Sequence, residues 1–140
     1  MAKHNVVGAK GEMIAIKFLK RKGFNILDTN YSRKWGELDI VAKREGRIHF
    51  VEVKTSSRDL RSVTCVTEGI VSRETFGLDS VGYRPEENMH YHKKERLKRV
   101  IQTYLIDKRM DSEFQVDLVV VYLDDVSKKA VVDYLPNILL

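Results

Sequence analysis

Apolar residues along Gly8 to Lys22 fall at helical spacing, with Ala9, Ile16 and Leu19 on one side, no proline in the run and Gly23 placed as a stop. Three strand-like stretches follow: Phe24 to Tyr31, Glu37 to Lys43 and Arg47 to Thr55. The turn signal Arg44-Glu45-Gly46 joins the last two into a predicted β-hairpin. Periodicity then fades over residues 56–89, where glycines, serines and Pro85 break up short mixed stretches, so this reads as a long excursion without assigned structure. Helical spacing returns from His90 to Ile106, with Leu97, Val100, Ile101, Tyr104 and Leu105 on one stripe. Phe114 to Leu123 and Ala130 to Leu135 complete the pattern as strands. Helix, three strands, helix and two strands imply an α/β fold, a mixed β-sheet flanked by helices.

The hairpin carries the first chemical statement. Centring its turn on Glu45-Gly46 pairs residues whose numbers add to 91, so Asp39 faces Glu52. Directly opposed side chains have Cβ atoms about 4.5 to 5.5 Å apart, and like charges there repel. Two carboxylates held that close favour a hard divalent cation, Mg²⁺ or Mn²⁺, which takes oxygen ligands and keeps waters that a phosphate can replace. A slip of one residue would send the two acids to opposite faces. Lys54, two residues beyond Glu52, shares its face and brings an ammonium beside the pair; neutralising Glu52 or Glu37 is its structural alternative. Glu12 points within about 60° of Ala9, Ala15, Ile16 and Leu19 on the first helix, an apolar setting that a shared cation site would explain. Its alternative is a favourable place near the helix N-terminus, or bonding to nearby amides.

Composition narrows the function. At 140 residues the chain fits one domain, residues 1–140, and its 43% hydrophobic and 32% charged residues argue against global disorder. The longest apolar run, Leu118 to Leu123, is too short for a membrane-spanning helix, and the start Met-Ala-Lys-His-Asn lacks a signal-peptide core, so a cytoplasmic protein with no membrane partner is expected. One cysteine, Cys65, excludes an internal disulfide and a thiolate zinc site. The net charge of +5 is uneven: residues 1–58 hold 13 Lys/Arg against 6 Asp/Glu, while residues 106–140 hold 4 against 7. A basic first half suits a polyanion such as nucleic acid, although scattered solubilising lysines would give the same count. Arg33, Lys34 and Trp35, with Tyr31 beside them, combine aromatic and basic groups just before the hairpin. Lys93 and Arg96, with Lys94, Lys98 and Arg99, could follow a phosphate backbone or form a solvated helix face. His90 and His92 lack a third nitrogen or sulfur donor, and His4 and His49 stand alone. Asp117, unusual inside an apolar strand, reads as a residue that bonds a neighbouring loop.

Gly36-Glu37-x-Asp39 followed by Phe50-Val51-Glu52-Val53-Lys54 resembles the split acidic and E-x-K motif of the PD-(D/E)xK nuclease superfamily. With Gly8-x-x-Gly11-Glu12-x-x-Ala15 before it, and Lys93-x-x-Arg96-Leu97 and Phe114-x-x-Asp117 after it, the chain resembles the YraN-like family of endonuclease-like proteins, related to archaeal Holliday junction resolvases. The resemblance covers nearly the whole chain. It implies a restriction-endonuclease-like core, with Asp39 and Glu52 holding Mg²⁺ or Mn²⁺, Glu12 assisting and Lys54 as the catalytic lysine. The implied function is metal-dependent hydrolysis of DNA phosphodiester bonds, in branched or structured DNA by analogy with the resolvases. A non-catalytic nucleic-acid-binding module of the same fold and an RNA nuclease are the competing readings, and a homodimer would suit paired incisions in a junction. The stretch between Lys54 and Lys93 looks longer here than in the family, which leaves substrate preference open.

Overall fold

A computed structural model describes residues 3–62, 70–72 and 91–138. Helix α1 (Lys3–Arg21) leads into β1 (Asn25–Arg33), β2 (Gly36–Arg44) and β3 (Arg47–Ser57). The short strand β4 (Ile70–Ser72), helix α2 (Tyr91–Asp107), β5 (Phe114–Asp124) and β6 (Lys129–Leu135) complete the order. The strands form one mixed sheet in the order β1-β2-β3-β5-β6-β4, with β3 parallel to β5 and β4 parallel to β6. The expected α/β fold with a mixed sheet between helices is what the chain adopts.

Each element follows from its sequence. Lys20 and Arg21 suit the negative end of the α1 dipole, and Gly23 ends the helix at a φ of +89°, a left-handed geometry that favours glycine. Glu45 and Gly46 both have positive φ, 52° and 77°, as a two-residue turn matched to the right-handed twist of a hairpin requires. That turn fixes the register from Arg44 opposite Arg47 to Ile40 opposite Val51, the pairing the sequence predicts. Strand β5 is buried on nearly its whole length because β3 and β6 flank it and both faces are covered.

Strand alternation divides the core. Ile40, Ala42, Val51, Val119 and Val121 pack with Ala15, Phe18 and Leu19 of α1 on one face. Val41, Ile48 and Phe50 pack with Leu97, Val100, Ile101 and Tyr104 of α2 on the other. Fully burying each Leu, Ile or Phe contributes about 1.5 to 3 kcal/mol, so the two helix stripes dominate the attachment of α1 and α2.

The structure extends several sequence boundaries. Helix α1 starts five residues before Gly8, β3 runs two residues past Thr55, and α2 ends at Asp107. Strand β4 gives regular structure to three residues of the 56–89 excursion, where its pairing with β6 across a long sequence separation leaves no local signal. Residues 63–69 and 73–90, which hold most of that excursion together with Cys65 and His90, lie outside the described residues. Among the described residues no helix is long and apolar enough to cross a membrane.

Candidate active site

The β2–β3 register places Asp39 and Glu52 one step beyond the Ile40–Val51 pair, where the strands open into a cleft. The Val53 backbone N–H donates to Asp39 Oδ2 at 2.9 Å, which fixes the Asp39 carboxylate against β3. Glu52 is only 8% exposed. Burial raises the Glu52 carboxyl to about 8, with the neighbouring Asp39 charge adding to the effect. Burial likewise raises Asp39 to about 6, against the lowering hydrogen bond from Val53, and the Glu12 and Glu37 charges push it further up. Among the described residues neither acid is held in an ion pair.

The cleft encloses about 500 Å³. Arg33, Lys34 and Trp35 at the β1–β2 turn form one wall, Lys93 and Arg96 of α2 form the other, and Glu37, Asp39 and Glu52 lie between. Gly36 holds the walls together: a Cβ there would come within 3.3 Å of the Arg96 carbonyl oxygen and 3.6 Å of the Val100 side chain. Trp35 packs against the α2 core, its Nε1 donates to Thr103 Oγ1 at 3.2 Å, and the Arg99 guanidinium lies 4.6 Å from its ring. The indole therefore serves the wall first. Arg33 pairs with Asp107 at 3.1 Å and stacks on Tyr31 at 4.3 Å, so part of its charge is already engaged.

Glu12 is half-buried on α1, and its charge acts on both Asp39 and Glu52. Its position depends on Gly11, because a Cβ at that residue would overlap the Thr55 hydroxyl of β3 and sit 2.9 Å from Thr55 Cβ. Gly8 faces open space in the same helix. Overpacking at Gly11→Ala is expected to cost about 1 to 3 kcal/mol and to displace Glu12. Gly8→Ala is expected to gain up to about 1 kcal/mol from helix propensity. Denaturant titration of the two variants checks this, and equal stabilities would contradict the close α1–β3 contact.

Lys54 is half-buried in β3, opposite Val120 of β5, and does not line the cleft. The cation that acts most on both Asp39 and Glu52 is Lys93. By sequence Lys93 belongs to the Lys93-x-x-Arg96-Leu97 motif, on a face that follows a phosphate backbone or is simply solvated. Glu37, by sequence a motif member and a counter-charge for Lys54, also acts on the pair from the cleft. Helical spacing from Lys93 to Arg96 puts both on one face of α2, but the packing of that face against the hairpin is a tertiary fact.

The donor set fits a hard divalent ion in part. Asp39 and Glu52 offer oxygen ligands in a site where burial and mutual repulsion disfavour two free negative charges. Among the described residues no group of three or more His, Cys, Asp or Glu side chains closes to metal-binding distance. Such an ion would thus rest on two carboxylates with water or substrate oxygens completing its shell, as Mg²⁺ commonly does.

A profile of the uncharacterised protein family UPF0102 matches residues 11–121, a span that contains Glu12, Asp39, Glu52, Lys54, Lys93 and Arg96. The chain belongs to the UPF0102 family. The UPF0102 protein of Alkaliphilus oremlandii is 34% identical over 134 residues, covering 94% of this chain and 95% of the relative. That of Campylobacter lari is 34% identical over 119 residues, covering 85% and 86%, and that of Campylobacter fetus is 32% identical over 117 residues, covering 84% of each. UPF0102 is the YraN-like family of the sequence resemblance.

Away from the cleft, Asp117 is fully buried and is the centre of a polar cluster. Its Oδ2 meets His49 Nδ1 and the Tyr134 hydroxyl, each at 2.6 Å, while Oδ1 accepts from Gln115 Nε2 at 2.7 Å and the Asn137 backbone N–H at 2.8 Å. The expected bond to a neighbouring loop is present through Asn137, and His49 gains a partner that its isolation in sequence concealed.

Proposed function

We propose that this UPF0102 protein is a metal-dependent endonuclease that hydrolyses DNA phosphodiester bonds in the cleft between the β1–β2 turn and α2. The observation that carries this reading is a carboxylate pair, buried Glu52 and half-buried Asp39, in a cleft that Arg33, Lys34, Lys93 and Arg96 also line. Carboxylates that disfavour their own charge bind a cation well, and flanking cations bind the phosphates on either side.

Asp39 and Glu52 would hold Mg²⁺ or Mn²⁺, with Glu12 adding negative charge from α1. Bound there, the ion supplies Lewis acidity toward a phosphate oxygen and an acidified water. Lys54, although it does not line the cleft, shares the face of Glu52 by strand alternation and would orient that water. Arg33, Lys34, Lys93 and Arg96 would position the nucleic acid, and a symmetric dimer would align two such clefts for paired incisions. The superfamily and restriction-endonuclease-like core implied by the E-x-K motif agree with this assignment.

The test is cleavage of single-stranded, duplex, flap, four-way-junction and RNA substrates with Mg²⁺, Mn²⁺ or chelator. Cleavage of DNA that needs the metal and stops with chelator is expected, and undiminished cleavage in excess chelator would reject the mechanism. Lys54→Ala is expected to bind DNA normally while its cleavage rate falls about 10²-fold or more. A wild-type rate in that variant would remove Lys54 from the chemistry.

A second reading has one observation in its favour: two carboxylates without a third side-chain donor at ligand distance also suit a nucleic-acid-binding module that does not hydrolyse. Tight, salt-dependent DNA binding with no product under any metal would support that module over the nuclease.

A further inference from the structure

Helix α2 presents an unusual first turn to the cleft. It has no acidic residue there, and Lys93 and Lys94 stand at the end of the helix whose dipole already disfavours cations. Each such charge is disfavoured there unless an anion offsets it. Lys93 lines the same cleft as Asp39 and Glu52, while Lys54 does not. Its side chain is exposed, and among the described residues it makes no ion pair. Arg96, one turn along the same face, lines the cleft too, and its backbone is fixed against Gly36 across the opening.

We propose that Lys93 is the cation that meets the reacting phosphate, its ammonium holding a nonbridging oxygen, while Arg96 takes the neighbouring phosphate. This rests on the nuclease reading and sharpens it, since it separates Lys93 from lysines that merely track a backbone. Position supports the separation: Lys93 stands at the positive end of α2 and lines the cleft that holds the carboxylate pair. The electrostatics agree, because among the described residues Lys93 is the cation whose charge acts most on Asp39 and Glu52. A lysine that close to a metal site repels the metal, whereas a distant backbone contact does not.

The test compares Lys93→Ala and Lys93→Arg with wild type and with Lys17→Ala, an exposed lysine of α1 that does not line the cleft. Mn²⁺ binding by calorimetry and single-turnover cleavage at saturating protein are measured for each. Lys93→Ala is expected to bind Mn²⁺ about threefold or more tightly, because a like charge is gone. Its single-turnover rate is expected to fall about 10²-fold or more, with partial recovery in Lys93→Arg. Lys17→Ala should match wild type in both. Weaker DNA binding with an unchanged saturated rate and unchanged Mn²⁺ affinity would reduce Lys93 to a backbone contact and overturn the proposal. If wild type cleaves no substrate, the nuclease reading fails by itself. Mn²⁺ affinity then still decides the placement of Lys93: tightening supports it, and no change overturns it.

Discussion

Asp39→Asn is expected to leave the metal-free protein as stable as wild type or more stable at pH 8, while its cleavage falls by about 10²-fold or more. Asp39 and Glu52 line one cleft and repel each other with no cation paired to them among the described residues, and burial lifts both carboxyls, to about 6 and about 8. A carboxyl whose folded value lies above its unfolded one makes the native state hold more protons than the unfolded state. Stability therefore falls as pH rises from about 4 to about 8, by about 1.4 kcal/mol for every tenfold difference in proton affinity between the folded and unfolded carboxyl. Asparagine removes one of the two charges and its carbonyl oxygen can still accept the Val53 N–H, so the loss across that window should shrink. The same change withdraws the negative charge that a hard cation needs most. Urea melts at pH 4.5 and pH 8 check the stability. If Asp39→Asn is clearly less stable than wild type at pH 8, Asp39 acts chiefly as a hydrogen-bond acceptor for β3.

Asp117→Ala is expected to cost about 3 to 5 kcal/mol, the range for breaking a buried charged network by removing one partner. In a domain of this size that lowers the melting temperature by roughly 10 to 20 °C. The carboxylate is wholly inside the protein and joins β3 through His49, β5 through Gln115, β6 through Tyr134, and the chain beyond β6 through Asn137. Burial and the hydrogen bond to Asp117 together push the Tyr134 hydroxyl up, so it remains a neutral donor. Phe24 lies edge-on to the His49 ring at 4.8 Å and packs against the cluster from β1's side of the sheet. Without Asp117 the buried His49 ring and the half-buried Tyr134 hydroxyl lose their acceptor, which is the costly outcome. A loss below about 1 kcal/mol in thermal melts would show that the cluster is peripheral to stability.

The hairpin was legible because its information is local. A two-residue turn at Glu45-Gly46 sets the register, and alternation then assigns Asp39 and Glu52 to one place. The apolar stripe of α1 likewise shows that Glu12 must face the sheet. Contacts made by packing left no such trace. Gly11 in α1 resembles Gly8 in sequence, yet only Gly11 lies against Thr55. Lys93 belongs to a run of basic residues, and which of them enters the cleft depends on how α2 crosses back onto the β2–β3 face. Asp117 is an isolated acid in an apolar strand until β3, β5 and β6 bring His49 and Tyr134 to it. In sequence Trp35 is one aromatic beside basic residues, suited equally to stacking on a base and to packing, and its bond to Thr103 and contact with Arg99 give it a structural task in the cleft wall.

Every step of the proposed chemistry requires the carboxylate pair to be a divalent-cation site. Calorimetric titration of Mn²⁺ into wild type and Glu52→Gln at pH 7.5, with thermal melts of the same samples, tests this directly. Wild type should bind the ion saturably and melt at a higher temperature with it, because a ligand that binds only the folded state stabilises it by mass action. Glu52→Gln should lose both the binding and the rise in melting temperature while remaining folded, since glutamine keeps the shape and removes the buried charge. Equal Mn²⁺ affinity and an equal thermal shift in the two proteins would contradict the assignment of Asp39 and Glu52 as the metal-binding pair.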